Sequence, residues 1–230
     1  MQFRYIALLA VSTLALAACD DDEITVPQNT AKVRFVNASS TNATANGTVG
    51  GSAMSSNIAF QGSGATCVDV PAGTQTVGFT SSTGTAIGSG ASNNFVAGQN
   101  YTVVLFGNGT TAVYQDQATT PTSGNNAIRF VNGTATAGDI FGTTATGTVS
   151  GTPSVANLGA YATTGTTGAS AFGSYANTNT RWRLYNTGTT ATARGDFTLG
   201  TMPSNNVTTV VFTPTAASGT TTGFMVNSCS

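Results

Sequence analysis

"AKVRFVNAS" at residues 31–39 returns as "NAIRFVNGT" at 126–134, and this recurrence decides the fold. Each copy is a short run of strand-forming residues around Arg-Phe-Val-Asn, with the alternation of a half-buried strand. The simplest reading turns Phe35 and Phe130 inward and Arg34 and Arg129 outward; the alternative is that the paired arginines bind an anion. Further matches extend the repeat. "SNIAFQGSGA" (56–65) corresponds to "ANLGAYATTG" (156–165), and "TVGFTSSTGTA" (76–86) to "RWRLYNTGTTA" (181–191). "YTVVLF" (101–106) corresponds to "TTVVFT" (208–213), and "TAVY" (111–114) to "TGFM" (222–225). The offset grows from 95 to 111 residues, as it does when loops lengthen and strands do not. A period near one hundred residues is domain duplication, since solenoid repeats run to about 20–50.

Composition makes both copies β. Thr and Gly, weak helix formers, are everywhere in the mature part, while Leu, Glu and Lys are nearly absent. Gly, Asn and Ser punctuate the apolar runs at short intervals. Only 7% of residues are charged, but 40% are hydrophobic, so the chain can bury a core. The expected division is domain 1 over 31–120, a linker at 121–125 with Pro121 and Gly124, and domain 2 over 126–230.

The N-terminus has the three parts of an export signal over residues 1–18: Arg4, the apolar run Ile6 to Ala17, and a small-residue end. Leu16-Ala17-Ala18-Cys19 resembles the lipobox of bacterial lipoprotein precursors. The resemblance implies cleavage after Ala18 and acylation of the Cys19 sulfur, with two or three acyl chains anchoring the protein to a membrane. Asp20-Asp21-Asp22-Glu23 opens a solvated, self-repelling tether over 19–30. Its acids resemble both an inner-membrane retention signal and a surface-export signal, which leaves the face of the envelope open.

"RFVNAS", "NIAF", "VDVPAGT", "TVGFTSSTG" and "VAGQNYTVVLFGNG" together resemble the bacterial domain of unknown function 4397, with a second copy in "IRFVNGT" and "GDIFGT". The resemblance implies exported, often membrane-attached proteins with immunoglobulin-like sandwiches and no established activity. The expected fold is therefore all-β, two tandem immunoglobulin-like antiparallel β-sandwich domains after a lipoprotein signal peptide. Asn37 and Asn132 stand where the family commonly has histidine. "NATANGTVGG" replaces its acidic strand in the first copy, whereas Asp139 keeps the acid in the second.

With Cys19 lipidated, Cys67 and Cys229 remain as an even pair in an oxidising compartment, and a disulfide between them is favoured over two free thiols. The sequence holds no histidine, the usual base and the commonest transition-metal ligand. Asp69, Asp116, Asp139 and Asp196 are scattered singly, without the clustering of a calcium loop. No enzyme activity, cofactor or metal is expected. Six basic against four acidic residues in the body make no electrostatic funnel for nucleic acid. The only tryptophan, in "TRWRLYN" (180–186), has two readings: a core residue aligned with Val77, or a sugar platform of Trp182 and Tyr185 with Tyr161 and Tyr175. The expected function is a non-catalytic cell-envelope lipoprotein that binds or scaffolds another envelope protein or surface component; the alternative is a carbohydrate-binding module.

Anchoring is testable directly. Cys19→Ser should leave the precursor uncleaved by lipoprotein signal peptidase and unlabelled by radioactive fatty acid; normal maturation of the variant excludes the lipobox reading.

Overall fold

A computed structural model describes residues 29–118, 120–164, 172–199, 207–215 and 220–229. The export signal, Cys19 and the acidic stretch lie outside the described residues. The described chain is all-β, without helix. In the first half the strands are β1 (Thr30–Ala38), β2 (Thr44–Val49), β3 (Ser52–Ala59), β4 (Gly62–Ser63), β5 (Val68–Pro71), β6 (Gly73–Thr80), β7 (Ala86–Phe95), β8 (Asn100–Phe106) and β9 (Thr111–Gln115). The second half contributes β10 (Asn125–Asn132), β11 (Gly138–Thr143), β12 (Val155–Leu158), β13 (Ala162–Thr163), β14 (Gly173–Ala176), β15 (Arg181–Asn186), β16 (Gly195–Thr198), β17 (Val207–Pro214) and β18 (Thr221–Asn227). Between β9 and β10 the chain turns at Thr122–Asn125, where Gly124 has a φ of 83°.

The first half is a sandwich of two sheets, one ordered β3-β2-β6-β7 and the other β4-β1-β8-β9, with β5 also paired to β1. The second half repeats the order: β12-β11-β15-β16 in one layer and β13-β10-β17-β18 in the other, with β14 on β10. Here a short parallel pairing of β16 with β18 joins both layers into one nine-stranded sheet. The first half has only the isolated bridge Ser89↔Thr110 at the corresponding seam. No strand pairs across the two halves among those described.

The expectation of purely antiparallel sandwiches is corrected. β1 pairs parallel with β8, and β10 parallel with β17. Turn signals fix only strands that follow one another in the chain. β1 and β8 are separated by six intervening strands, and so long a crossover permits parallel pairing.

Side chains from both layers fill each core. Val33, Phe35, Phe79, Phe95, Tyr101 and Leu105 cluster in the first, and Phe130, Ile140, Trp182, Leu184 and Phe212 in the second. The registers equate Val49↔Val77 of the first half with Gly142↔Trp182 of the second. A Cβ added to Gly142 would lie 2.5 Å from the indole, so the small residue makes room for the large one. Gly142→Val should therefore cost about 1–3 kcal/mol by overpacking. Adding Trp182→Val should recover at least about 1 kcal/mol of it in a double-mutant cycle read by urea unfolding. Simple additivity would show that the two positions do not oppose each other.

Candidate functional site

The repeated strand has two faces, and both are used. On β1, Val33 and Phe35 enter their own core, while Val36 and Ala38 face the other half. On β10, Ile128 and Phe130 point inward and Val131 faces the first half. Val36, Ala38, Val104, Phe106 and Tyr114 thus form one buried cluster with Val131, Val211 and Val226. The inner sheets of the two halves are packed face to face, and the C-terminal ends of β1 and β10 are buried on both sides.

That covering corrects the outward reading of Arg129. It does leave its own core, but into the interface, where its exposure is 0%. Its Nη2 donates to Asp116 Oδ1 at 2.7 Å, and both side chains are wholly buried. Nε and Nη2 donate to Thr209 Oγ1 at 3.1 and 2.8 Å, and Nη1 donates to the Gln115 carbonyl at 3.3 Å. The Thr102 hydroxyl lies 2.9 and 2.7 Å from the Asp116 oxygens and donates to them. The rings of Tyr114 and Phe172 approach the guanidinium at 5.3 and 4.8 Å, a cation–π arrangement. Burial pushes the Tyr114 phenol up to about 12, a rise that the nearby Arg129 charge partly offsets. Tyr114 is thus neutral throughout the physiological range. Arg34, the counterpart of Arg129, is half-buried and donates to the Gly64 carbonyl at 3.0 Å.

The disulfide forms where the sequence places it. Cys67, just before β5, bonds to Cys229, just after β18, with Cα atoms 5.9 Å apart. Asn100 Nδ2 donates to the Cys229 carbonyl at 2.8 Å, so the end of the second half lies on the first.

The four rings named as a sugar platform occupy three separate places. Trp182 is fully buried, with Phe130 at 4.7 Å and Tyr175 at 5.0 Å between centroids. Tyr185, on the opposite face of β15, packs edge-on against Phe141 at 5.5 Å. Tyr161 meets Phe106 at the interface between halves, at 5.7 Å. The arginines flanking Trp182 are occupied: Arg181 pairs with Asp196, and Arg183 donates twice to the Gly147 carbonyl at 3.1 Å. The Arg181 guanidinium holds the Asp196 carboxyl below its ordinary range.

Sequence reasoning missed what Asn37, Asn132 and Asp139 do. Asn37 is fully buried, and its Nδ2 donates to the carbonyls of Asn42 (3.0 Å) and Ile58 (3.1 Å). Asn132 does the same to Thr136, Leu158 and Gly159. Asp139 accepts from the Asn157 and Gly188 backbone amides at 2.7 and 2.8 Å; in the first half Asn46 accepts from Asn57 at 2.8 Å. Asn57 and Asn157 have φ of 55° and 49°, and Gln61 and Tyr161 have 62° and 50°. The left-handed residues therefore recur in register, each Asn57-type amide capped by a side chain across the hairpin. The signal was present, since an asparagine ended both copies of the opening motif. Among the described residues no three His, Cys, Asp or Glu side chains gather as a metal site.

A family model described as Domain of unknown function (DUF4397) matches residues 31–141, from β1 into β11. No curated protein matches the chain.

The buried pair carries the next expectation. Asp116→Ala leaves a guanidinium sealed without its counter-charge and should cost about 3–5 kcal/mol. The double variant Asp116→Leu/Arg129→Met should regain most of this in urea unfolding. Equal losses in the single and double variants would place the ion pair in solvent.

Proposed function

We propose that the protein is a non-catalytic, lipid-anchored protein of the bacterial cell envelope, in which two immunoglobulin-like sandwiches form one stiff body that binds or scaffolds another envelope component. The observation that carries this reading is the Cys67–Cys229 disulfide joining the first half to the end of the second. Stable disulfides belong to oxidising compartments, which agrees with export through the signal at residues 1–18. The second half is read as a further copy of the same domain, on the strength of its strand order and its left-handed residues in register.

A binding role also agrees with where the acids are used. Asp116 and Asp139 are buried and engaged by hydrogen bonds, and Asp196 by two arginines. These three carboxylates hold the fold and only Asp69 of the body's four acids is exposed, which leaves recognition mainly to neutral surfaces rich in Thr, Ser, Asn and Gly. Domains joined by a short linker move by default unless their interface is large. Here the apolar cluster, the buried ion pair and the disulfide all oppose that motion, so a lipid on Cys19 would present a rigid body beyond the tether.

The test is made on cells. Cys67 and Cys229 should resist alkylation before reduction, and the protein should leave the membrane fraction only with detergent. Exchange of residues 1–19 for a cleavable signal lacking the lipobox cysteine should release it as a soluble exported protein. Free thiols at both positions, or membrane retention of the exchanged form, overturns the proposal.

A further inference from the structure

The interface between the halves is built from the same face twice. Phe35↔Val103 and Phe130↔Val210 are equivalent pairs, as are Thr102↔Tyr114 and Thr209↔Val226. The register moves the last match by one residue, so that Tyr114 corresponds to Val226 and not to Met225; Arg34 corresponds to Arg129, Thr102 to Thr209, Phe106 to Thr213, and Asp116 to Ser228. Contacts across the interface come in matching pairs. Gln61 Nε2 donates to Thr213 Oγ1 at 3.1 Å, and its mate is the contact of Tyr161 with Phe106. Ala38 meets its own counterpart, since a Cβ on Gly133 would lie 3.6 Å from the Ala38 Cβ. This is the signature of an isologous contact, in which i meets j and j meets i.

The mate of the Arg129–Asp116 pair is therefore Arg34–Ser228, and here the carboxylate is missing. Ser228 Oγ and Arg34 Nε are both buried and have no hydrogen-bond partner. Independent contacts put them together. Cys229, next to Ser228, is bonded to Cys67, and the adjoining Val68 pairs with Val33, next to Arg34. The Cys229 carbonyl accepts from Asn100, two residues before Thr102, which pairs with Arg34. Among the described residues no acid lies within ion-pair reach of Arg34.

We propose that the Arg34–Ser228 end of the interface binds one small carboxylate anion, of formate or acetate size, in the place that the Asp116 side chain fills at the other end. Serine lacks the carboxylate of aspartate, so the charge that answers Arg129 at one end has no covalent counterpart beside Arg34 at the other. Arg34 Nε and Ser228 Oγ supply donors to it, and the guanidinium supplies the charge. An unpaired buried donor is costly, and a guanidinium matches a carboxylate better than any neutral acceptor. The chain thus keeps an internal anion at one end and takes a diffusible one at the other.

The test is thermal unfolding of the full mature protein at fixed ionic strength. Acetate or formate at about ten times its dissociation constant should raise the melting temperature by about 2–5 °C over chloride. Ser228→Asp should raise the melting temperature without acetate and abolish the response, by filling the site internally. Arg34→Gln, checked for native circular dichroism, should abolish the response without filling the site. Equal melting in acetate and chloride, or a response that survives Arg34→Gln, overturns the proposal and leaves water as the occupant.

Discussion

A guanidinium taken wholly out of water has to find its charge and its hydrogen bonds inside the protein, and Arg129 sets that condition for everything around it. Stripping water from such an ion and from its carboxylate costs several kcal/mol each, and the loss is recovered only when the remaining donors and acceptors are met. Here the answers come from three strands of both halves, with Thr102 holding the carboxylate in turn. Asp116 follows β9, Thr102 lies on β8, the Gln115 carbonyl closes β9, and Thr209 is on β17. No two of these strands can slide without breaking a bond to a buried charge. The apolar cluster supplies most of the attraction between the halves, but it is non-directional. The polar pair gives the interface its register.

Four layers follow from that register, and they are not chemically alike. The two inner sheets spend their outward faces on each other, so the outer layers are β3-β2-β6-β7 and β12-β11-β15-β16. The first of these sheets contains no Asp, Glu, Lys or Arg. The second carries Arg181, Arg183 and Asp196 on adjoining strands β15 and β16. Opposite ends of one stiff body therefore differ in how salt affects their contacts. Attraction to the neutral face is insensitive to screening, whereas attraction to the arginine-bearing face weakens with ionic strength.

What the sequence disclosed and what it hid divide along a physical line. Alternation around Phe35 and Phe130 was legible because it depends only on the pleat, which is local. The Cys67–Cys229 bond was legible as the pair that remains once the lipobox reading sets Cys19 aside. The fate of Arg129 was not legible, because alternation tells which side of its own sheet a residue leaves, not what covers that side. Parallel pairing of β1 with β8 was hidden for the same reason: turn residues specify neighbours in the chain, whereas first and late strands are brought together by the whole sandwich. Asn37 and Asn132 were legible as a repeat and hidden as bolts, because their partners, the carbonyls of Ile58 and Leu158, lie two strands away in sequence.

Trp182 shows how differently two cores with the same strand order can be filled. At the equivalent place in the first half, Val49 and Val77 share the space as two medium side chains. The second half divides nearly the same space into nothing and an indole, Gly142 and Trp182. Volume-conserving exchanges of this kind are what close-packed interiors tolerate best, because neither a cavity nor an overlap is left behind. The neighbours adjust in kind: Phe130 stacks near Phe212, and Tyr175 closes edge-on over the indole. A lone tryptophan between arginines invites a binding role, but its glycine opposite is the stronger clue. A ring meant for a ligand needs open space on the outside of a sheet, and this one has its space reserved on the inside.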